Sequence, residues 1–489
     1  MYFLDIFKQS LEQPILQPSH SILKTKLLPM KKNIFIVGLL LGILNFASAQ
    51  EYINIPVPPN AGEGKMWELQ DSVSDDFNYT FNAVDFQTNF GSDKWYNFYH
   101  NQWDGPGTTY WKYNHVSVDG DALVFKGSRW DADNQPNPQY PYPGAPEIYK
   151  MGMPDNGINL GCVTSNTRVQ YPVFVESAIS VADIELASCF WLLSADDTQE
   201  IDIIENYGGV PWFQQFTHIS HHSFQHSPYV DYQPRDVNSW WPDSRVNNSY
   251  GWGDWCWNNS NRQYLRIGVN WIDPNHFEYY IDGDIVRVLY QNAIATKYNG
   301  TWEYTYYDGV DGNGIPTQTG GYSDVTLYTS LSSYSFDTLQ SASVASNGIN
   351  VIDPGDFQGG TGFTKEMDII INFESQTWLA TAYPPSDADL DDPSKNEMKV
   401  DWVRVYKPVH SPSLAFDHDS IYLNTDYEIG SNLSISCNFH AGSGDTIING
   451  NNGGIKFWLR EIEPGWTVAN DYVAFDTTAI GQESGTATA

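Results

Sequence analysis

Short segments of β-branched and aromatic residues, each bounded by a turn, follow one another along most of this chain. Examples are residues 122–125 (ALVF), 264–269 (YLRIGV) and 276–281 (HFEYYI), with turns such as 119–121 (DGD) and 282–284 (DGD) beside them. The sequence has no long stretch with the apolar period of an amphipathic helix. Many short strands joined by Gly, Asp and Pro turns are typical of antiparallel sandwiches and barrels. The sequence therefore predicts an all-β fold.

The chain divides into three parts by composition. The 489 residues correspond to two to four domains, at roughly 150 residues per domain. Residues 400–406 (VDWVRVY) form a closing strand, and residues 407–412 (KPVHSP) form a boundary. We therefore expect a main domain over 51–408 and a small β-rich module over 413–489. The module ends in a polar Gly/Ser/Thr/Ala tail, which leaves open whether it is truncated.

Residues 30–50 have the pattern of a secretory signal peptide. Met30-Lys31-Lys32 precedes an apolar run over 34–44, and Ala47-Ser48-Ala49 precedes Gln50. This is the basic, apolar and small-residue order of a cleaved signal, and the run is short for a membrane span. We expect cleavage before Gln50, an upstream extension over 1–29, and a secreted, extracellular protein without a membrane anchor. The alternative is that 34–44 is a buried core helix.

Charge and cysteine content exclude several classes of function. Lys and Arg number 25 and Asp and Glu number 59, so the net charge is −34. A nucleic-acid partner requires a basic surface, which this composition does not provide. The four cysteines are far apart and form no CxxC pair, so neither a zinc site nor a dense disulfide framework fits their spacing. We expect a monomer without a nucleic-acid or membrane partner.

Three carboxylates alternate with isoleucine in residues 200–205 (EIDIIE). Residues i and i+2 of a strand share a face, so Glu200 and Asp202 point the same way. Glu205 would point the opposite way unless one extra residue, a β-bulge at Ile203-Ile204, returns it to the carboxylate face. The sequence predicts such a bulge.

Crowded carboxylates suit one reaction in particular. Like charges raise each other's pKa, so crowding them is costly without a purpose. A retaining glycosidase needs two carboxyls about 5–5.5 Å apart, one as nucleophile and one as acid/base. Asp202, between them, can hydrogen-bond the nucleophile and help to keep the pair in opposite protonation states. The alternative is an acidic edge strand that discourages aggregation.

The EIDIIE segment also resembles the ExDxxE signature of glycoside hydrolase family 16. Its flanks resemble the β-agarase and β-porphyranase branch of that family, a similarity that covers roughly residues 65–408. The segments that carry it are 191–199 (WLLSADDTQ), 218–224 (HISHHSF), 231–234 (DYQP) and 369–378 (IIINFESQTW). One departure is His226, where agarases often carry Arg. The resemblance implies a β-jelly-roll sandwich with a carbohydrate cleft, and no cofactor for catalysis.

The resemblance also implies roles for individual residues. Glu200 is then the nucleophile, Asp202 its assistant and Glu205 the acid/base. Trp191 is a sugar platform, His222 lies beside the acid/base, and Glu374 in the 369–378 segment belongs to the substrate-binding residues. A structural calcium ion, common in the family, would be held by the Gly120 carbonyl and the Asp401 carboxylate.

Aromatic residues elsewhere fit a sugar cleft, because the C–H faces of sugars pack on Trp. Trp103 and Trp111 stand in a loop with Gly105-Pro106-Gly107, and we expect both to contact substrate. Trp240-Trp241 could equally anchor a loop. His218, Ser220 and His222 share a strand face, but no Asp, Glu or Cys nearby in the sequence completes a metal site.

The expected substrate is an agar-type red-algal galactan, cleaved at its β-1,4-galactosidic bonds. Porphyran carries 6-sulfated L-galactose where agarose carries a 3,6-anhydro ring. Residues 100–103 and 205–209 resemble porphyranases more than agarases, and Lys112 and Arg129 near the Trp103 loop could bind sulfate. Porphyran is therefore the expected polymer and agarose the alternative. Two further alternatives are a non-catalytic galactan-binding protein and a laminarinase or carrageenase.

Overall fold

The part of the chain that can be described begins just after the predicted signal peptide. The computed structural model describes residues 51–85, 87–130, 157–235, 239–257 and 261–410. It also describes 414–416, 436–441, 455–462, 468–476, 480, 482 and 484–488. The predicted upstream extension and signal peptide over 1–49 lie outside these residues. Within the described part, no helix has the length and apolar character needed to cross a membrane.

Strands dominate the described residues. The first thirteen are Lys65–Leu69 (β1), Thr80–Asn82 (β2), Asn89–Phe90 (β3), Trp95–Tyr96 (β4), Thr109–Trp111 (β5), Val116–Asp119 (β6), Leu123–Lys126 (β7), Ser128–Arg129 (β8), Ile158–Leu160 (β9), Cys162–Ser165 (β10), Val173–Ser180 (β11), Ala187–Ser194 (β12) and Gln199–Asn206 (β13). The next thirteen are Phe216–His226 (β14), Tyr229–Tyr232 (β15), Trp240–Pro242 (β16), Leu265–Asp273 (β17), His276–Ile281 (β18), Asp284–Tyr290 (β19), Ala293–Tyr298 (β20), Thr301–Tyr307 (β21), Gln318–Thr319 (β22), Tyr322–Ser323 (β23), Val325–Leu331 (β24), Met367–Glu374 (β25) and Glu397–His410 (β26). The last five are Leu414–Phe416 (β27), Ser436–Ala441 (β28), Ile455–Ile462 (β29), Val468–Asp476 (β30) and Ser484–Thr488 (β31).

Helices in the described residues are short. The α-helices are Trp252–Cys256 (α1), Phe336–Ala345 (α2), Thr377–Ala382 (α3) and Asp387–Leu390 (α4), and single 3₁₀ turns span Glu51–Asn54, Tyr113–His115 and Phe213–Gln215. The side chain of Ser335 caps α2 by accepting a hydrogen bond from the Thr338 amide. The prediction of an all-β protein is confirmed.

Two large antiparallel sheets form the sandwich. The twelve-stranded sheet runs β2-β6-β7-β26-β11-β17-β18-β19-β20-β21-β24, with β1 also paired to β26. The nine-stranded sheet runs β15-β14-β13-β12-β25-β10-β4-β3, with β16 also paired to β14. The carboxylate strand β13 therefore lies inside the nine-stranded sheet, between β12 and β14.

Both sheets contribute to one hydrophobic core. Val175 and Val269 from the twelve-stranded sheet and Phe190, Ile201 and Ile371 from the nine-stranded sheet are fully buried in the same cluster. Alternate residues of β12, β13 and β25 therefore point away from this core, toward the outer face of the nine-stranded sheet. The predicted jelly-roll sandwich is confirmed, and its outer face is where the polar residues of β13 lie.

The N-terminal segment is fixed to the twelve-stranded sheet by a buried ion pair. Arg404 on β26 donates from Nε to Glu176 Oε2 on β11 over 2.7 Å, and both side chains are fully buried. Its other nitrogens donate to the carbonyls of Tyr52, Ile55 and Pro56. The first residues after the predicted cleavage site are thus part of the fold.

The predicted boundary at 407–412 overlaps a strand. β26 continues to His410 because β1 pairs with its last residues, Lys65 with His410 and Leu69 with Tyr406. The described strands after it pair with one another, as β27-β28-β31 and β29-β30. Residues 49–489 form one compact unit by their contacts, so a separate module over 413–489 stays a prediction.

Candidate active site

A β-bulge in β13 brings the three predicted carboxylates to one face. Consecutive residues of β12 pair with Ile204 and then with Asp202, which leaves Ile203 as the extra residue. The pairing of β13 with β14 shifts at the same place, between Asp202 and Glu205. The prediction of a bulge at Ile203-Ile204 is confirmed, and it places Glu205 beside Glu200 and Asp202.

These carboxylates line a cleft on the outer face of the nine-stranded sheet. The cleft encloses about 540 Å³, within the range typical of small-molecule sites. Its lining combines acids, aromatic rings and amides, namely Tyr99, Asn101, Trp103, Pro106, Cys189, Trp191, Leu193, Asp197, Glu200, Asp202, Glu205, His222, Phe224, His226, Tyr229, Asp231, Glu374 and Gln376. Aromatic surface next to convergent polar groups is the composition that a sugar chain requires.

His222 lies against the Glu200 and Asp202 side of the cleft. Its Nε2 is 3.4 Å from Asp202 Oδ2 and 3.9 Å from Glu200 Oε1, while its Nδ1 is 2.7 Å from Asp231 Oδ1. Burial would lower the pKa of His222, but Asp231 and then Glu200 raise it well above its usual value. His222 is therefore the positive charge among these carboxylates. His222 thus lies within the acidic cluster, where the strand register pairs it with Glu200.

The histidine beside Glu205 is His218. Its Nδ1 lies 2.9 Å from Glu205 Oε2, and its ring stacks on Trp240 with centroids 4.1 Å apart. The sequence admits His218 as a metal ligand and as part of the 218–224 segment, and it leaves open whether Trp240 contacts a sugar or anchors a loop. For His218 the available signal was the alternation of residues 218–222, which places it on the same face of β14 as His222.

Gln376 connects Glu205 to a fourth carboxylate. Its Nε2 donates to Glu205 Oε1 over 2.7 Å and to Glu374 Oε1 over 3.0 Å. Its Oε1 accepts from Tyr207 Oη over 2.9 Å and from Trp378 Nε1 over 2.6 Å, which fixes the orientation of the amide. From the sequence alone Gln376 has no assigned role, although it stands in the 369–378 segment that carries the family resemblance.

Burial and mutual repulsion distribute the protons of this cluster unevenly. Burial and then Asp202 raise the pKa of Glu200 well above its usual value, and burial and then Glu205 raise that of Asp202 to about 7. Burial and then Glu205 also raise the pKa of Glu374 to about 7. Burial alone would raise the pKa of Glu205, but hydrogen bonds with His218 and Gln376 lower it. The pKa values of the acidic neighbours of Glu205 are thus raised, whereas that of Glu205 itself is lowered.

The three predicted tryptophans occupy different places. Trp191 lines the cleft and donates from Nε1 to Asn372 Oδ1 over 2.6 Å. Trp103 also lines the cleft and is 39% exposed. Trp111 is fully buried, stacked on Tyr99 with centroids 5.0 Å apart. The prediction that Trp111 contacts substrate is therefore wrong: it supports Trp103 from beneath, with centroids 5.6 Å apart.

The loop that carries Trp103 is docked on the strand end that carries Gln376. Gly107 has φ +55°, and a Cβ there would lie 2.2 Å from the Ser375 carbonyl oxygen, so only glycine allows this approach. The Thr109 hydroxyl also accepts from the Ser375 amide over 2.7 Å. This packing holds Trp103 over the cleft.

The cations expected near that loop do not line the cleft. Arg129 donates from Nε to Asp387 Oδ1 over 2.7 Å and from Nη2 to the Pro385 carbonyl over 2.9 Å. Lys112 is buried, with 2% of its surface exposed. The prediction of a substrate contact by Arg129 is wrong for the described structure, because its guanidinium is engaged elsewhere. Glu374, by contrast, does line the cleft.

Two sets of side chains in the cleft have a spacing that a metal ion could bridge. In each set the ligand atoms lie within 4.8 Å of one another; the sets are Cys189, Glu205 and Glu374, and Glu200, Asp202 and His222. The prediction that no Asp, Glu or Cys completes a metal site beside His222 is therefore wrong, because the fold brings Glu200 and Asp202 next to it. The high pKa of His222 disfavours the second set, since a metal requires the neutral imidazole.

The predicted calcium ligands lie on neighbouring elements of the twelve-stranded sheet. Gly120 is in the turn between β6 and β7 with φ +107°. Asp401 follows Val400, which pairs with Leu123 on β7. A carbonyl and a carboxylate are donors that suit calcium. The neighbouring Asp119 is already paired with Lys399 Nζ over 2.7 Å. The calcium site stays a prediction.

A histidine bridge joins the Trp103 loop to the start of β13. His100 places Nε2 2.7 Å from Asp197 Oδ1 and Nδ1 3.0 Å from Asp368 Oδ2. Asn101 donates to the second oxygen of Asp197 over 2.8 Å, and the Trp103 amide donates to Asn101 Oδ1. Burial would lower the pKa of His100, but the two carboxylates raise it to about 9.

This bridge predicts a pH-dependent stability. A histidine whose pKa is higher in the folded than in the unfolded protein stabilises the folded state. This stabilisation is complete below the unfolded pKa of about 6.5 and disappears as the pH rises through the folded pKa of about 9. We expect H100Q to lose about 3 kcal/mol of unfolding free energy at pH 6 and far less at pH 9.5, measured by urea unfolding. H410Q, at an exposed strand end, is the control. A loss independent of pH would contradict a charged bridge.

Comparisons with known proteins agree on one family. Residues 67–307 match the model described as "Beta-porphyranase A-D, GH16 domain". The chain is 42% identical over 414 residues to Beta-agarase D of Zobellia galactanivorans, covering 78% of this chain and 79% of the relative. It is 35% identical over 390 residues to a Beta-agarase of Phocaeicola plebeius, covering 77% and 98%. The crystal structure of the catalytic domain of the Zobellia beta-agarase D superposes with a TM-score of 0.62 at 41% identity, covering 74% of this chain and all of that one.

Proposed function

Because this chain belongs to glycoside hydrolase family 16, in the branch of agarases and porphyranases, we propose that it is a β-agarase. It would cleave the β-1,4-galactosidic bonds of agarose within the chain and retain the anomeric configuration. The observation that carries the proposal is the β13 bulge, which places Glu200, Asp202 and Glu205 on one face in an aromatic-lined cleft. A pure binding protein has no use for acids crowded at that cost.

The mechanism follows from the positions of Glu200 and Glu205 on either side of Asp202. Glu200 attacks the anomeric carbon while Glu205 protonates the bridging oxygen, and the leaving sugar departs. Glu205 then removes a proton from water, which attacks the glycosyl-enzyme and releases Glu200. A hydrogen bond with Glu200 lowers the pKa of Asp202 from the value that burial and Glu205 would give, so we propose that Asp202 takes up the proton that Glu200 loses before it attacks.

Acid catalysis requires a proton on Glu205, whose pKa is lowered in the free protein. We infer that the sugar chain changes this balance, since it displaces water from the cleft and adds a proton acceptor beside Glu205. Asp202 and Glu374, both with a pKa of about 7, are the neighbouring groups that can supply the proton. Gln376 holds Glu374 and Glu205 together at its one amide nitrogen.

The charge of the cleft favours neutral agarose over porphyran. None of the residues described as lining it is Lys or Arg, whereas Asp197 and Asp231 add to the catalytic acids. A sulfate ester would meet net negative charge, because His222 is already held by Asp202 and Asp231. The relatives with the quoted identities are named agarases, which supports the same choice.

Porphyran is the second candidate, and the family model favours it by its description. The experiment is a reducing-sugar assay on agarose, porphyran, carrageenan and laminarin at matched mass concentration. We expect the highest initial rate on agarose, with new ends formed throughout the polymer. A higher rate on porphyran would show that the protein is a porphyranase and not an agarase. A preference for carrageenan or laminarin would contradict both assignments. Export stays a prediction from residues 30–50, which lie outside the described part.

A further inference from the structure

A buried thiol lies on the strand between the two strands that carry Glu205 and Glu374. Strand pairing sets Glu205 of β13 opposite Cys189 of β12, and Cys189 opposite Asn372 of β25. Glu374 follows Asn372 by two residues and therefore points to the same face of the sheet. Cys189, Glu205 and Glu374 all line the cleft. The strand register thus brings a thiol and two carboxylates together.

The Cys189 thiol has no part in the proposed mechanism. Cys162, Cys189 and Cys256 are free and buried, and of these three Cys189 is the one that lines the cleft. Cys189 is 2% exposed, and in the described part of the chain no hydrogen bond engages its sulfur. A thiol that faces a cleft without a partner is available as a ligand for a soft cation.

The geometry of the three side chains suits one metal ion. The sulfur and one oxygen of each carboxylate lie within 4.8 Å of one another. A four-coordinate zinc ion bonds sulfur at about 2.3 Å and carboxylate oxygen at about 2.0–2.2 Å, so small side-chain movements close the set around one ion. Existing hydrogen bonds hold the carboxylates in place. Gln376 donates to both Glu205 and Glu374, and Asn372 Nδ2 donates to Glu374 Oε2 over 2.7 Å.

The sulfur ligand determines which class of cation fits. Thiolates favour zinc and other soft ions, whereas Mg²⁺ and Ca²⁺ prefer oxygen ligands. The described lining of the cleft contains no Lys or Arg, so its net negative charge attracts a cation. The second set with suitable spacing, around His222, contains no sulfur. The Cys189 set is therefore the one that suits a thiophilic ion.

We infer that Cys189, Glu205 and Glu374 form a site for a thiophilic divalent cation, and that an ion bound there inhibits the hydrolase. Burial and then Glu374 raise the pKa of the Cys189 thiol, so Zn²⁺ must displace the thiol proton, which passes to solvent. Glu205, once bonded to the ion, no longer protonates the leaving oxygen. The inhibition rests on the proposed function, whereas binding of the ion does not.

Cobalt binding tests the site without any measurement of hydrolysis. Co²⁺ accepts the same ligands as Zn²⁺, and a cobalt–thiolate bond gives a charge-transfer absorption band in the near ultraviolet. We expect this band when the unmodified full chain is titrated with CoCl₂, and we expect C189S to lack it. C256S is the matched control, because Cys256 is a buried free cysteine outside the cleft, and it should keep the band. E374Q retains the thiol but should need roughly tenfold more Co²⁺ for half saturation.

Zinc inhibition tests the consequence for catalysis. Rates on agarose are measured against ZnCl₂ concentration and divided by the zinc-free rate of the same protein. We expect the Zn²⁺ concentration that halves the rate to rise roughly tenfold or more in C189S and to stay within about twofold in C256S. EDTA should restore the rate of the unmodified enzyme.

Absence of the band from the unmodified protein, its persistence in C189S, or its equal loss in C256S would overturn the site. Equal zinc sensitivity of C189S and the unmodified enzyme would overturn the inhibition. Melting temperatures show whether each variant is folded, and E374Q provides the test if C189S does not fold. Failure of the proposed function is distinguishable, because the cobalt band would then appear in a protein that does not cleave agarose.

Discussion

Replacing Glu200 or Glu205 by Gln is expected to lower kcat on agarose by about a thousandfold or more. Gln keeps the size of each side chain but removes the nucleophile in one variant and the proton donor in the other. Both variants should still bind agarose, because the aromatic lining of the cleft is unchanged. Initial rates from reducing ends, with binding followed by affinity electrophoresis in agarose gels, provide the measurement. E63Q, at an exposed position that does not line the cleft, is the control for the same chemical change outside the site.

Azide rescue separates the two roles. With an activated aryl glycoside of an agaro-oligosaccharide, E200A plus azide should give the α-glycosyl azide, since azide replaces the nucleophile. E205A plus azide should give the β-glycosyl azide, since azide attacks the glycosyl-enzyme. The lowered pKa of Glu205 and the raised pKa of Glu200 in the free protein would by themselves favour the opposite roles. Exchanged azide products would show that the roles are reversed.

Replacing Arg404 by Met is expected to destabilise the protein by about 3–5 kcal/mol. The substitution leaves Glu176 buried without its partner and frees three carbonyls of residues 52–56. Urea unfolding followed by tryptophan fluorescence gives the free energy. Since Arg404 binds the carbonyls of Tyr52, Ile55 and Pro56, residues 52–56 should become sensitive to protease.

Two further variants make this result specific. R129M breaks a partly exposed pair with Asp387 and should cost below about 1 kcal/mol. The double variant R404M/E176M removes both buried charges and should recover part of the loss. If R404M were as stable as R129M, the N-terminal segment would not depend on the buried pair.

The sequence predicted the features that depend on local pattern. Short β-branched and aromatic segments predicted the sandwich. In a regular strand Glu200 and Asp202 would lie on one face and Glu205 on the other. One extra residue between Asp202 and Glu205 brings all three to one face, and this predicted the bulge. The same two-residue alternation indicated that His218 and His222 share one face of their strand.

The sequence could not predict which side chains meet across the sheet. The register of β14 against β13 decides that His218, and not His222, contacts Glu205, and register is set by the whole sheet. Trp111 carried the same local signal as Trp103, but packing under Tyr99 buried it. The contacts of Gln376 with Glu205 and Tyr207 involve neighbours about 170 positions away in the chain.

Proton NMR during the first minutes of agarose hydrolysis tests the central claim most directly. Cleavage of the β-1,4 bond with retention, through Glu200 and Glu205, predicts that the β-anomer of a reducing-end galactose appears first and then equilibrates to the α-anomer. Initial appearance of the α-anomer, or of a reducing end other than galactose, would contradict the assignment of the β13 carboxylates.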